Sequence, residues 1–369
     1  MRRREFLLNL SALAPGAALA TWPPHARAAE PEASSGWRVF EVVTSVEVAA
    51  ASGPTRVWLP LPLSTPSDYQ RLLNTTWDAP GSSHTELAVV PGYDVRLLHL
   101  YWQDAAAVGP ITLTCRVATR DRRGSLERAS ATLSAERESA QTLQRYLRPT
   151  ALLPTDGIVR ATAQQICARR HGEIEQARAL YEWVVENTTR DPKTPGCGIG
   201  DVGSMLRSGY FGGKCADINA LFVALARSAG IPARDAYGVR VADSRLGYRC
   251  LGKSGDISKA QHCRAEFYAR DQGWIPVDPA DIRKVMLEEQ AGGLPMSDPK
   301  VQAARHAFFG SWEMNWVAYN HGHDVALPGS TSAAIPFLMY PNGESGGARI
   351  NSLDPATFRY AIHSREVVV

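Results

Sequence analysis

This sequence predicts an α+β fold in which a small antiparallel β-sandwich precedes a core of helices packed on an antiparallel sheet. Three observations carry that prediction. Alternating apolar and β-branched runs, punctuated by Gly, Pro and Ser, fill residues 37–119. Helical periodicity then takes over, culminating in an apolar stretch after Gly212-Gly213 that stops at Gly230 with Pro232 just beyond. Last come two strand-like runs, Gln261 to Tyr268 and Trp274 to Asp278, joined by a polar turn.

From the start, Met1-Arg-Arg-Arg-Glu-Phe-Leu-Leu is basic and then apolar through Ala20, and Ala26-Arg27-Ala28 offers a small-x-small cleavage site. Arg3-Arg4-Glu5-Phe6-Leu7 fits a twin-arginine export signal, so residues 1–28 are expected to be a leader and the mature chain periplasmic or secreted. Removing the leader subtracts Arg2, Arg3, Arg4, Arg27 and Glu5, which turns 40 basic and 37 acidic residues into 36 of each. Nothing in that balance suggests a nucleic-acid partner or a polybasic membrane patch. No later run approaches the roughly 20 apolar residues of a membrane span. The sequence leaves the oligomeric state open.

Residues 37–148 are expected to form the N-terminal β-sandwich domain, with strands near 37–48, 55–62, 86–90, 95–102 and 111–119. No catalytic constellation occurs there; a wall or docking surface and plain structural support are equally compatible with it. A charged, Ser-rich connector over 120–140 carries a short helix at most, and Pro149 and Pro154 mark the boundary to a catalytic domain at 149–369. Helices follow at 158–170 and 174–187, the second with Ala177, Leu180, Tyr181, Val184 and Val185 on one face. Residues 188–213 read as a long loop passing over Cys215. Apolar runs at 312–319, 325–327, 335–340 and 358–362 are expected to complete the core sheet.

Cys215 opens the apolar helix, where unpaired N–H groups and the helix dipole favour a thiolate. A hairpin centred near Arg270 would oppose Glu266 with Trp274 and His262 with Asp278, placing a carboxylate beside an imidazole. Nucleophile, base and orienter are the parts of Cys/His/Asp catalysis. Six cysteines are too few for a disulfide scaffold. If Cys215 is free, at most two bridges can form among Cys115, Cys167, Cys197, Cys250 and Cys263. Cys197, Cys250 and Cys263 flank the motifs, so one bridge there is plausible.

Cys at a helix start, then Gly230-Ile-Pro-Ala-Arg234, then His262-x-x-x-Glu266, then Gly273-Trp-x-x-Val-Asp278-Pro279 resembles the core of the transglutaminase-like superfamily over about residues 158–282. The resemblance implies a papain-like cysteine-enzyme core with Cys215 as nucleophile, His262 as general base and acid and Asp278 as orienter. It implies no cofactor or metal, and a peptide or protein substrate. Many relatives carry a small residue and then Trp after the histidine, where this chain has Cys263-Arg264. Tyr210 is an aromatic candidate for lining the acyl site or donating to an oxyanion, with ordinary loop packing as its alternative. Asp217 reads as a first-turn residue suited to the helix dipole. Glu266 either neighbours the groove or packs, and His321-Gly-His323-Asp324 reads as packing and hydrogen bonding rather than metal ligation. The expected reaction is amide or peptide hydrolysis through an acyl-enzyme. Acyl transfer or deamidation at glutamine is the alternative chemistry, and a non-catalytic peptide-binding groove the alternative class.

Overall fold

The computed structural model describes residues 36–368 apart from positions 50, 66, 94, 125 and 127–137. The leader expected over 1–28 and part of the charged connector lie outside the described residues. Two five-stranded antiparallel sheets form a sandwich. One runs in the order Gly255–Asp256, Phe358–Val367, Arg38–Val48, Ile111–Thr119, Gln70–Asp78, and the other Ala348–Ile350, Asn342–Ser345, Thr55–Pro60, Val95–Trp102, His84–Val90. Period-2 alternation turns Phe40, Val42 and Val46 of the first sheet inward against Val57, Leu59, Leu98 and Leu100 of the second, in one apolar cluster. The strand Gln70–Asp78 was not apparent in the sequence because it lies at a sheet edge and leaves half its length exposed and polar.

The chain's last segments correct an expectation. Of the runs assigned to the core sheet, Trp316–Asn320 joins it, whereas Phe358–Val367 pairs along Arg38–Val48; the strand Asn342–Ser345, not expected from the sequence, pairs with Thr55–Pro60. Phe358 and Ile362 are buried in the sandwich cluster, so burial of that face sets the strand's place. The sandwich is therefore closed by both ends of the described chain.

The second half holds a four-stranded antiparallel sheet in the order Gly273–Val277, Gln261–Ala269, Ala233–Arg240, Trp316–Asn320. Against it packs the helix Cys215–Ser228, buried at every position from Cys215 to Arg227. Such all-round burial is what an almost uniformly apolar helix requires. Gly230, at φ 83°, supplies the left-handed residue that lets the chain turn back into Ala233–Arg240. Helices Gly157–Cys167 and Glu173–Asn187 flank it, as their periodicity predicts. Residues 188–213 are more ordered than a loop. They contain the helix Val202–Ser208 and a short parallel pairing of Thr189–Arg190 with Gly212–Gly213. Val239, Val317 and Tyr319 of the core sheet, and Val241 just past it, belong to the sandwich's apolar cluster, which welds the two halves together.

Candidate active site

The site begins at the N-terminus of the cysteine helix. Asp217 accepts from the backbone N–H of Lys214 at 2.9 Å, closing the first turn, and from those of Ile199 and Gly200 at 3.1 and 2.9 Å. It therefore clamps the 196–200 segment over the helix start, a larger role than its sequence reading assigned. Gly198 makes that clamp feasible: its φ is +86°, and a Cβ there would lie 1.8 Å from Asp217 Oδ2. The Ala216 N–H donates to the Cys197 carbonyl at 2.9 Å, fixing Cys197 beside Cys215.

All six cysteines are free thiols, so no bridge forms where one was considered. Instead Cys197 and Cys263 crowd Cys215. The neighbouring Cys197 and Cys263 thiols, together with the adjacent His262 ring, hold the Cys215 thiol well below its usual range, against the opposing effect of burial.

His262 arrives from the strand Gln261–Ala269, opposite Gly238. A Cβ on residue 238 would come within 2.1 Å of the Val317 carbonyl oxygen and 2.5 Å of the Trp316 ring, so glycine lets Trp316 approach. The Trp316 indole N–H then donates to the His262 carbonyl at 2.9 Å. The hairpin that delivers Asp278 is shifted from the expected register. Ala269 opposes Gly273 across a three-residue loop, and Glu266 opposes Pro276 rather than Trp274. The shift moves each pairing by two residues, and because side chains alternate with period two it preserves the faces. Asp278 lies just past the strand, capping the helix Pro279–Glu288, and its Oδ2 is 2.7 Å from His262 Nε2.

A second carboxylate, not singled out in the sequence, shares the imidazole. Asp281 Oδ1 lies 3.3 Å from His262 Nε2 and is paired with Arg240. Burial and Arg240 push the His262 pKa down, but Asp281 and Asp278 outweigh them and the net shift is upward. Burial and the Asp281 charge raise Asp278, while Arg240 holds Asp281 at about 2 despite its burial. With Nε2 engaged by carboxylates, Nδ1 is the nitrogen left for the thiol. His262, Asp278 and Asp281 bring one ligand atom each within 4.8 Å of one another. Arg240 and Arg264 already face those carboxylates, which makes the cluster an ion-pair network.

Asn219, one turn beyond Cys215, donates to the Cys263 carbonyl at 2.7 Å and lies 3.5 Å from Asp278 Oδ1, tying helix, strand and cap together. A polar residue four positions after the cysteine in an apolar helix was its available signal. Asp281 had one too, as the acid three residues after an N-cap aspartate.

A cavity of about 200 Å³ opens at the thiol, lined by Cys215, His262, Cys197 and Gln261, with Arg190, Lys214, Arg240, Lys253, Lys259 and Lys284 and no Asp or Glu. Tyr210 lies outside it and corrects the sequence reading. The residue is 60% exposed, and its hydroxyl donates to Asp191 Oδ2 at 3.0 Å. That hydroxyl lies over Gly212, where a Cβ would come within 2.3 Å of it. Glu266 is likewise away from the groove. It is buried between Arg122 and Arg234, with Arg234 Nε 2.7 Å from its Oε1, which settles its two readings in favour of packing. His321 Nδ1 lies 2.8 Å from the Asp235 carbonyl oxygen, and His323 Nε2 lies 3.0 Å from an Asp235 carboxylate oxygen.

Comparison with known proteins matches residues 160–279 to the transglutaminase-like superfamily. That span contains the cysteine helix and the histidine hairpin and ends one residue after Asp278. The chain belongs to the transglutaminase-like superfamily. Its likeness to an uncharacterized protein of Haemophilus influenzae, 33% identical across 93% of this chain and 95% of that one, reaches well beyond that span. Among solved structures, a protein from Cytophaga hutchinsonii described as a candidate cysteine protease aligns with a TM-score of 0.54. It is 14% identical and covers 90% of this chain and 92% of its own. The periplasmic domain of TgpA from Pseudomonas aeruginosa aligns at 0.36 and 15% identity, covering 70% of this chain and 93% of that domain. Proteins of the transglutaminase-like fold are commonly enzymes, cysteine proteases and transglutaminases among them.

Proposed function

We propose that this chain is an exported cysteine hydrolase that cleaves amide or peptide bonds. The observation that carries the reading is that Cys215 and His262 line one cavity, with the Asp278 carboxylate 2.7 Å from the imidazole Nε2. The Cys215 thiolate adds to the amide carbonyl carbon. His262 gives its proton to the departing amine nitrogen as the C–N bond breaks, leaving a thioester. His262 then takes a proton from water, whose oxygen attacks the thioester and releases the acid and the thiolate. Asp278, supported by Asp281, holds the ring and stabilises its protonated form. The leader-like residues 1–28 support export to the periplasm or beyond, where water is the abundant acyl acceptor.

The cavity's cations favour substrates with carboxylates near the scissile amide. Arg240 is taken by Asp281, and Arg190 and Lys284 share Glu288, but among the described residues no ion pair engages Lys214, Lys253 or Lys259. The test is a peptide panel with acidic, neutral and basic positions beside the amide, run with and without a labelled primary amine. Hydrolysis that depends on Cys215, favours acidic peptides and leaves the label in solution is expected. Label incorporation into a glutamine peptide would establish acyl transfer instead. A Cys215 thiol inert to alkylation at mildly acidic pH would make the groove a binding site only.

A further inference from the structure

We propose that His84, Glu86 and His99 form a binding site for a divalent transition metal of the zinc type on the outer face of the sandwich, independent of the cysteine chemistry. The three offer one ligand atom each, all within 4.8 Å of one another. Glu86 Oε2 lies 3.6 Å from His84 Nε2 and 3.8 Å from His99 Nδ1. Tetrahedral zinc with bonds of about 2.0–2.1 Å holds its ligand atoms roughly 3.3–3.5 Å apart, so small movements of the two exposed side chains close the set.

The strand pairing builds this arrangement. His84–Val90 runs antiparallel to Val95–Trp102, with Glu86 directly opposite His99 and His84 opposite Tyr101. Residues 84 and 86 therefore share a face with residue 99, and His84 reaches it diagonally. On the other side of His99, Trp58 of the adjacent strand stacks on its ring at 5.7 Å between centroids and 8° between planes. The imidazole is thus held flat on an apolar wall, pointing outward between an imidazole and a carboxylate.

The independent observation is the state of His99. It is 7% exposed, yet neither ring nitrogen has a hydrogen-bond partner. A buried polar group without a partner is costly and uncommon, and it calls for an explanation. Glu86 Oε2 approaches Nδ1 to 3.8 Å, which exceeds a hydrogen bond while suiting two atoms bound to one ion. Arg56 does not fill the site: its guanidinium lies over the Tyr101 ring, 4.7 Å from the centroid. Two imidazoles and one carboxylate suit zinc, and three protein ligands leave a fourth position for water.

The test is zinc titration by calorimetry on the whole chain after chelator dialysis, comparing wild type with His84→Gln and Glu86→Gln. Both substitutions fall on exposed side chains, so the folded state is kept, and thiol-bound zinc contributes equally to all three proteins. Wild type is expected to take up one more equivalent than either variant, or to bind it at least tenfold more tightly. Cobalt at the same site should show visible bands from nitrogen and oxygen ligation that both variants lose. Equal stoichiometry and affinity in the three proteins, or no zinc uptake below millimolar concentration, would overturn the site.

Discussion

His262 and His99 are both more than nine-tenths buried, one in the transglutaminase-like core and one in the sandwich, and they differ in what their ring nitrogens meet. His262 Nε2 has Asp278 at 2.7 Å and Asp281 at 3.3 Å, and its pKa is raised. His99 has no hydrogen-bonding partner, and its pKa is lowered by burial. Burial alone drives an imidazole neutral; adjacent carboxylates reverse that and make it a holder of protons. The first environment suits proton transfer to a leaving group, and the second suits donation of a lone pair.

The sharpest way to break this contrast is to move function between the two rings. His262→Ala should lower amide turnover by roughly 10⁴-fold or more, as removal of a triad base does in other thiol and serine enzymes. His99→Ala should leave turnover within about twofold. Asp278→Asn should fall between them, at about 10²–10⁴-fold. Asp281 limits that loss, so the double variant Asp278→Asn with Asp281→Asn should be slower still. Steady-state kcat/KM with an acidic peptide measures all four. A His99 variant as slow as a His262 variant would put the two sites in one mechanism and end the comparison.

Glu266 extends the contrast to a fully compensated buried carboxylate. It is 0% exposed, and Arg122 and Arg234 hold its pKa at about 2 although burial opposes them. Glu266→Gln leaves two buried guanidinium groups facing a neutral amide and should cost about 3–5 kcal/mol of unfolding free energy. The sign follows from the depressed pKa: the stabilisation is present above the unfolded value of about 4.3 and is lost as pH falls toward about 2. Denaturant unfolding at pH 7 and pH 3 should therefore show a gap between wild type and variant that narrows with acid. A gap independent of pH would mean that shape, rather than charge, makes Glu266 necessary.

These residues also mark what could be read from the sequence. The Cys215 helix declared itself because glycines, an apolar run and Gly230-x-Pro232 are local signals, and five of the six strands before residue 120 declared themselves through alternation. The convergence of His262 and Asp278 survived a wrong register, since a two-residue shift returns each side chain to its own face. Long-range partners left no such trace. Arg122 meets Glu266 across 144 positions, and Phe358–Val367 crosses the whole chain to cover Arg38–Val48. Tyr210 left no such trace either: its hydroxyl bonds to Asp191, 19 positions away, and no local periodicity marks that contact. His99 carried no signal either, because its strand alternates normally and its oddity is a missing partner.

The smallest expected effect tests the sandwich side of the contrast. Because the folded pKa of His99 lies below its unfolded value of about 6.5, the unfolded chain binds a proton that the native ring refuses, and stability falls as pH drops below about 6.5. His262 acts with the opposite sign, its contribution being present below about 6.5 and lost as pH rises through its raised folded value. His99→Phe keeps a planar ring on Trp58 and removes two partnerless nitrogens, so in chelator it should stabilise the chain by about 1–3 kcal/mol. The gain should be larger at pH 5 than at pH 7.5, since only the histidine is penalised by protonation of the unfolded state. Urea unfolding of both proteins at the two pH values measures it. Added zinc should then narrow the difference at pH 7.5, because only the wild type retains the ligand set to bind it. A phenylalanine variant that is less stable at both pH values by the same amount would mean that His99 finds its partner within the protein, and the imidazole would no longer need an ion.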